Sequence, residues 1–95
     1  MKEATIENDI LEYLNYMGGM FWRSHTGKNP PCTPGIPDII GVRRGVLIAV
    51  EVKRPGQKPS VAQEAFIVRL RANGALAFVA TSLAEVQEKM GGFSK

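Results

Sequence analysis

The chain reads as an α/β protein in the order helix, three strands, helix, strand, helix, with a mixed sheet flanked by helices. Three observations predict this. Apolar residues recur at helical spacing near the N-terminus. Two β-rich runs separated by two residues occupy the centre, the pattern of a tight hairpin. A helix between two strands follows, and such a succession normally crosses over to a parallel neighbour. Ninety-five residues suffice for one compact domain spanning 1–95 and exclude a multidomain machine.

Each element has its own signal. Ile6, Ile10, Leu14 and Met17 define a first helix from Thr5 to about Met17, with Thr5 as expected N-cap and Gly18-Gly19 as the stop. Met20 to His25 reads as a short strand on the strength of Phe21 and Trp22. Four prolines and two glycines between Thr26 and Pro37 then make a loop, since neither helix nor sheet tolerates them. Asp38 to Arg43 and Val46 to Lys53 are the hairpin strands around Arg44-Gly45. Ser60-Val61-Ala62-Gln63 has the form of a capping box and opens a helix to about Asn73, ended by Gly74. Ala75 to Thr81 is a buried-looking strand, and Ser82-Leu83-Ala84-Glu85 opens a last helix that ends before Gly91-Gly92.

Composition narrows the function class. With 44% hydrophobic and 22% charged residues the chain is an ordinary globular domain, and its net charge of +3 permits nucleic acid without demanding it. One cysteine, Cys32, excludes an internal disulfide framework and, beside a single histidine, His25, excludes a zinc-finger ligand set. Both are read as structural or incidental. The longest apolar run, Ala75 to Ala80, is too short to span a bilayer, and the first residues open a polar helix rather than a signal sequence. A cytoplasmic setting without membrane contact is expected, and the small core favours association with a second copy.

The chemistry sits in the hairpin. A two-residue loop pairs Arg43 with Val46, and counting outward brings Asp38 opposite Glu51. Opposed side chains in an antiparallel pair have Cβ atoms about 4.5–5.5 Å apart, where like charges destabilise the sheet unless compensated. Lys53, two residues beyond Glu51, shares its face and supplies one ammonium; a divalent cation is the natural source of the rest. A three-residue loop would instead set Asp38 opposite Val50 and turn it to the other face, so the argument depends on the turn. The alternative is a loop cap at Asp38 and a surface ion pair between Glu51 and Lys53. The unbroken apolar run from Val46 to Val50 argues against it, because a strand covered on both faces ends its charges in a cleft or against a partner.

These residues resemble a known signature. Pro37-Asp38 followed by Glu51-Val52-Lys53 looks like the PD-(D/E)xK nuclease motif, and the element order matches that restriction-endonuclease-like core. Gly35-Ile36-Pro37-Asp38-Ile39-Ile40, with Gln63 at the start of the next helix, is similar to the stand-alone, phage-type members of the VRR-NUC family, the virus-type replication-repair nucleases. The resemblance covers nearly the whole chain. It implies a Mg²⁺- or Mn²⁺-dependent, structure-selective DNA endonuclease without organic cofactor, a homodimeric Holliday-junction resolvase acting on four-way junctions in recombination and repair, leaving 5′-phosphate and 3′-hydroxyl ends. If the chain is phage-encoded, its setting is the host cytoplasm. A less selective nicking or flap nuclease of the same fold, or a DNA-binding module without catalysis, are the alternatives; the complete Asp38, Glu51 and Lys53 set argues against the last.

Carried over residue by residue, the resemblance makes Asp38 and Glu51 metal ligands, assisted by the Val52 main-chain carbonyl, and sets Lys53 beside the attacking water. There Lys53 either helps deprotonate or orient the water, or stabilises charge developing on the phosphate. Glu7 matches the acidic residue the family places on its first helix; the plainer reading is a carboxylate complementing the helix dipole. Gln63 is a site residue by resemblance and, equally, the residue a capping box prefers at its position. Lys28, Arg43, Arg44, Arg54 and Lys58 flank the hairpin and loops as candidate backbone contacts to DNA, with Ser60 at a helix N-terminus able to meet a phosphate. Arg43 and Arg44 lie at the far end of the hairpin from Asp38, and solvated turn charges are the plain alternative for each basic residue.

Overall fold

The structure, a computed structural model, describes residues 2–24 and 33–91. His25, Lys28 and Cys32 lie outside the described residues. The elements run α1 (Glu3–Tyr16), β1 (Met20–Arg23), β2 (Ile39–Arg43), β3 (Val46–Val52), α2 (Val61–Ala72), β4 (Leu76–Ala80) and α3 (Leu83–Lys89). One four-stranded sheet in the order β1-β2-β3-β4 has antiparallel β1/β2 and β2/β3 pairs and a parallel β3/β4 pair reached through α2. This is the expected mixed sheet.

The sequence period explains the two faces. Ile48, Val50 and Val52 alternate toward α1 and α3, where they join Ile6, Ile10, Leu14, Ile39, Phe78, Val86 and Met90 in the main core. Ala49 faces the opposite way and packs with Ile67 of α2 and Ala77 of β4, beside Ile40, Leu70 and Val79. A single twelve-residue helix covers only part of that face. Met20, Trp22, Val42 and Leu47, cross-strand neighbours on β1, β2 and β3, are exposed on the remainder.

The hairpin turns on two residues. Arg44 and Gly45 have φ of 50° and 81°, the left-handed pair that a type I′ turn requires, and the register runs from Arg43 opposite Val46 to Ile39 opposite Val50. Three details differ from the sequence reading. Helix α1 begins at Glu3 after Lys2, which makes no side-chain cap, so Thr5 lies inside the first turn. Glu85 reaches past its N-cap Ser82 to the main-chain N–H of Thr81, 2.8 Å away, while the Ser82 hydroxyl accepts from Glu85 N at 3.2 Å. Arg43 is not a turn charge awaiting DNA. It is 2% exposed and donates from Nε to the Met17 carbonyl at 2.8 Å, closing the C-terminal end of α1, because it shares the face of Ile39 and Gly41 that packs against that helix.

Candidate active site

Asp38 and Glu51 meet where β2 begins and β3 ends. Continuing the register one step past Ile39 and Val50 sets them opposite one another on the α2 side of the sheet. Asp38 is fixed by its backbone and its side chain: its carbonyl accepts from Ser24 N at 2.9 Å, beyond the end of β1, and its Oδ2 accepts from Val52 N at 2.8 Å. Pro37 beside it is among the fully buried residues and anchors the chain as it enters the sheet.

Three side chains converge on the Glu51 carboxylate, which is 1% exposed. Lys53 Nζ lies 3.3 Å from Oε2. Gln63 Nε2 donates to the same oxygen at 3.0 Å. Asp38 faces it from β2, with no further carboxylate, histidine or cysteine making up a group of three among the described residues. Oε1 of Glu51 is buried without a hydrogen-bond partner. Burial, and after it the Asp38 charge, push the Glu51 carboxyl up to about 8, against a smaller opposing effect of Lys53.

Gln63 unites its two expected roles. Its Oε1 accepts from Ser60 N at 2.8 Å while Ser60 Oγ accepts from Gln63 N at 3.1 Å, completing the capping box. Its Nε2 remains directed at Glu51. Both partners demand the same orientation of the amide, since one offers a donor and the other an acceptor.

The donor set fits a hard divalent cation. Two carboxylates at a strand end, one with an oxygen buried and unsatisfied, offer oxygen ligands only, and their mutual repulsion is relieved by positive charge between them. The Val52 carbonyl stands at the same strand end, and the N–H of that residue is already engaged by Asp38. Such a site suits Mg²⁺ or Mn²⁺ better than zinc, which favours nitrogen and sulfur.

The chain matches the VRR-NUC domain over residues 2–84. It belongs to the VRR-NUC family. A solved structure described as a VRR-NUC domain superposes with a TM-score of 0.74 at 28% identity, covering 94% of each chain. The VRR-NUC fold of this chain is also similar to Hjc of Archaeoglobus fulgidus, a Holliday junction resolvase from an archaeal hyperthermophile, with a TM-score of 0.60 at 28% identity over 81% of this chain and 65% of that one. A comparison with curated proteins finds no match. The fold is therefore the PD-(D/E)xK core of a VRR-NUC nuclease domain. No helix among the described residues is long and apolar enough to cross a membrane.

The remaining expected residues of this VRR-NUC domain divide by position. Arg54 and Lys58 are exposed on the segment joining β3 to α2, next to the site, with Ser60 at its end. Arg44 is exposed at the hairpin tip, about five strand residues or roughly 17 Å from Asp38. Among the described residues Glu7 forms no metal-holding group of three with Asp38 and Glu51. It lies on α1, across the sheet from α2, and its Oε1 accepts from Arg23 Nε at 2.7 Å while the same guanidinium also donates to Asn8. Arg23 carries no signal of this in the sequence, since the pairing joins residues far apart along the chain. It matters because Arg23 ends the strand whose next residue, Ser24, holds Asp38.

Proposed function

We propose that this VRR-NUC protein is a divalent-metal-dependent, structure-selective DNA endonuclease, a homodimeric resolvase that hydrolyses phosphodiesters at four-way junctions. The observation that carries the reading is the convergence of Asp38, Lys53 and Gln63 on the buried Glu51. Two facing carboxylates at the end of a covered strand are costly, and a site that binds a cation turns that cost into affinity. The similarity to an archaeal Holliday junction resolvase supports branched DNA as substrate.

In this reading Asp38, Glu51 and the Val52 carbonyl hold Mg²⁺ or Mn²⁺, which when bound supplies positive charge against the developing phosphate charge and makes a nearby water more acidic. Gln63 fixes which Glu51 oxygen faces the helix, leaving Oε1 for ligation. Lys53, anchored on Glu51 and only 17% exposed at its side chain, sets an ammonium beside the scissile phosphate to stabilise charge in the transition state. Arg54, Lys58 and Ser60 contact the DNA backbone next to the site, and Arg44 reaches a distal arm of the junction. Lys28, which precedes Asp38 in the sequence and lies outside the described residues, is assigned a further backbone contact. Glu7, held by Arg23, steadies the strand end that carries Asp38. The whole chain acts as one domain, and the exposed sheet face of Met20, Trp22, Val42 and Leu47 supports pairing with a second copy.

The test compares a labelled four-way junction with linear duplex of the same sequence, each with Mg²⁺, Mn²⁺ or EDTA. Paired symmetric nicks confined to the junction and lost with EDTA are expected. Cutting of both substrates refutes the resolvase reading and retains the nuclease, and tight binding without cutting under either metal refutes catalysis.

A further inference from the structure

We infer that Gly35 is a positioning residue that seats the first turn of α2 so that Gln63 meets Glu51, an inference that rests on reading this site as a nuclease centre. Gly35 has a φ of +82°, and a Cβ built on it lies 2.3 Å from the Ala62 carbonyl oxygen, 2.6 Å from the Ala62 carbonyl carbon and 3.0 Å from Gln63 N. These are backbone atoms, which cannot swing aside as a side chain does. Gly18, Gly45, Gly56 and Gly74 also have positive φ, yet a Cβ on any of them meets nothing within 4 Å. Those four serve the turn of the chain. Gly35 serves a contact between two backbones.

The contact joins the two approaches to the site. Three residues after Gly35 stands Asp38, with buried Pro37 between them, and on the other side of the contact stands Gln63, whose main-chain nitrogen is among the atoms approached. Asp38 and Gln63 both act on Glu51, one by charge and one by its amide. The separation between their supports is therefore set by how closely the chain at Gly35 packs on α2. A methyl group there must open the contact by roughly 1 Å to reach ordinary van der Waals distance, and displacements of that size in a catalytic constellation cost up to about 100-fold in rate. The Gln63 bond to Glu51, 3.0 Å long, does not survive such an opening.

The experiment is a double-mutant cycle of Gly35→Ala and Gln63→Ala, with Gly74→Ala as the control for left-handed strain without a clash. Cleavage of a four-way junction with Mn²⁺ gives kcat and KM, and the ¹⁵N-labelled side-chain amide of Gln63 is followed by NMR. Gly35→Ala is expected to lower kcat 10- to 100-fold with KM within about twofold, to shift the Gln63 amide resonance, and to add nothing once Gln63 is alanine. Gly74→Ala is expected to lose stability and keep kcat. Rate losses that multiply in the double variant overturn the inference, because Gly35 then acts elsewhere. If Gly35→Ala does not fold, Pro34→Gly, which loosens the same segment without adding an atom, enters the cycle with the same two outcomes. If the unaltered protein cuts no DNA, the nuclease reading fails, and an unshifted Gln63 amide in the Gly35 or Pro34 variant still overturns the positioning role on its own.

Discussion

Replacing Glu51 by glutamine is expected to stabilise the metal-free protein at neutral and alkaline pH, an unusual result for a buried site residue. The carboxyl titrates near 4.5 when exposed and near 8 in the fold, because burial and then the Asp38 charge disfavour its ionised form. Between those values the native state holds a proton that the unfolded chain has released. The difference in bound protons makes stability fall as pH rises, by about 1.4 kcal/mol per pH unit. Over the whole interval the ceiling is about 5 kcal/mol, and relaxation and water at the strand end bring the expected loss to about 2–4 kcal/mol. That is a large share of the 5–15 kcal/mol typical of a domain, equivalent to roughly 10–25 °C in Tm. In Glu51→Gln the amide oxygen keeps its donors Gln63 and Lys53, and the amide nitrogen replaces the unsatisfied Oε1. Thermal melts in EDTA from pH 5 to pH 9 should show Tm falling in the unaltered protein relative to the variant, the curves diverging through pH 5–8. Mn²⁺ should raise the former and leave the variant nearly unmoved. Parallel curves would refute the reasoning, because every other titrating group is common to both proteins.

Three more outcomes follow from particular contacts. Lys53→Met should abolish junction cleavage while junction affinity, read by fluorescence anisotropy in Ca²⁺, stays within a few fold. Arg44→Asn should stabilise the protein by about 0.5–1 kcal/mol in urea melts, because asparagine accepts the left-handed backbone that arginine occupies at a φ of 50°. Glu85→Gln should cost about 1 kcal/mol at pH 7 by weakening the bonds to Thr81, and less near pH 3. Those bonds hold the Glu85 carboxyl below its usual 4.5, so their contribution is present above that value and fades as pH falls through the lowered one.

How much of this was legible in the sequence depended on the range of the interaction. The hairpin was legible because a two-residue loop leaves one register, and that register alone sets Asp38 opposite Glu51. Helix α2 was legible because its cap is local, Ser60 to Gln63. Arg43 was misplaced, although its alternation with Ile39 and Gly41 marked it for the covered face, because its acceptor at Met17 lies twenty-six residues back. The start of α1 was missed for the opposite reason. Thr5 has the propensity for a cap, yet the helix starts at Glu3 with no side-chain cap at Lys2, held by the burial of Ile6, Ile10 and Leu14. Glu7 and Arg23 meet only once α1 is laid against β1, which no local pattern records. Nor does any local pattern record that α2 leaves Trp22 and Val42 uncovered, since that follows from where the crossover lands on the sheet.

The placement of the carboxylates follows from the topology that the hairpin and crossover create. Strand β3 lies between an antiparallel and a parallel neighbour, and from Ile48 onward it is also covered on both faces, by the α1 and α3 core on one and by α2 on the other, so that its end is buried beneath the first turn of α2. A carboxylate there is desolvated by the fold itself, without any dedicated wall. The same crossover must deliver a helix N-terminus over that strand end, and the residue its capping box prefers is one whose amide can also reach a carboxylate. Cap and site are thus held by one side chain, so that forming the helix and orienting Glu51 become a single event. In a chain with a core this small, that coupling lets the destabilising charges sit where the structure is most firmly held, since Val50 and Val52 on either side of Glu51 are fully buried.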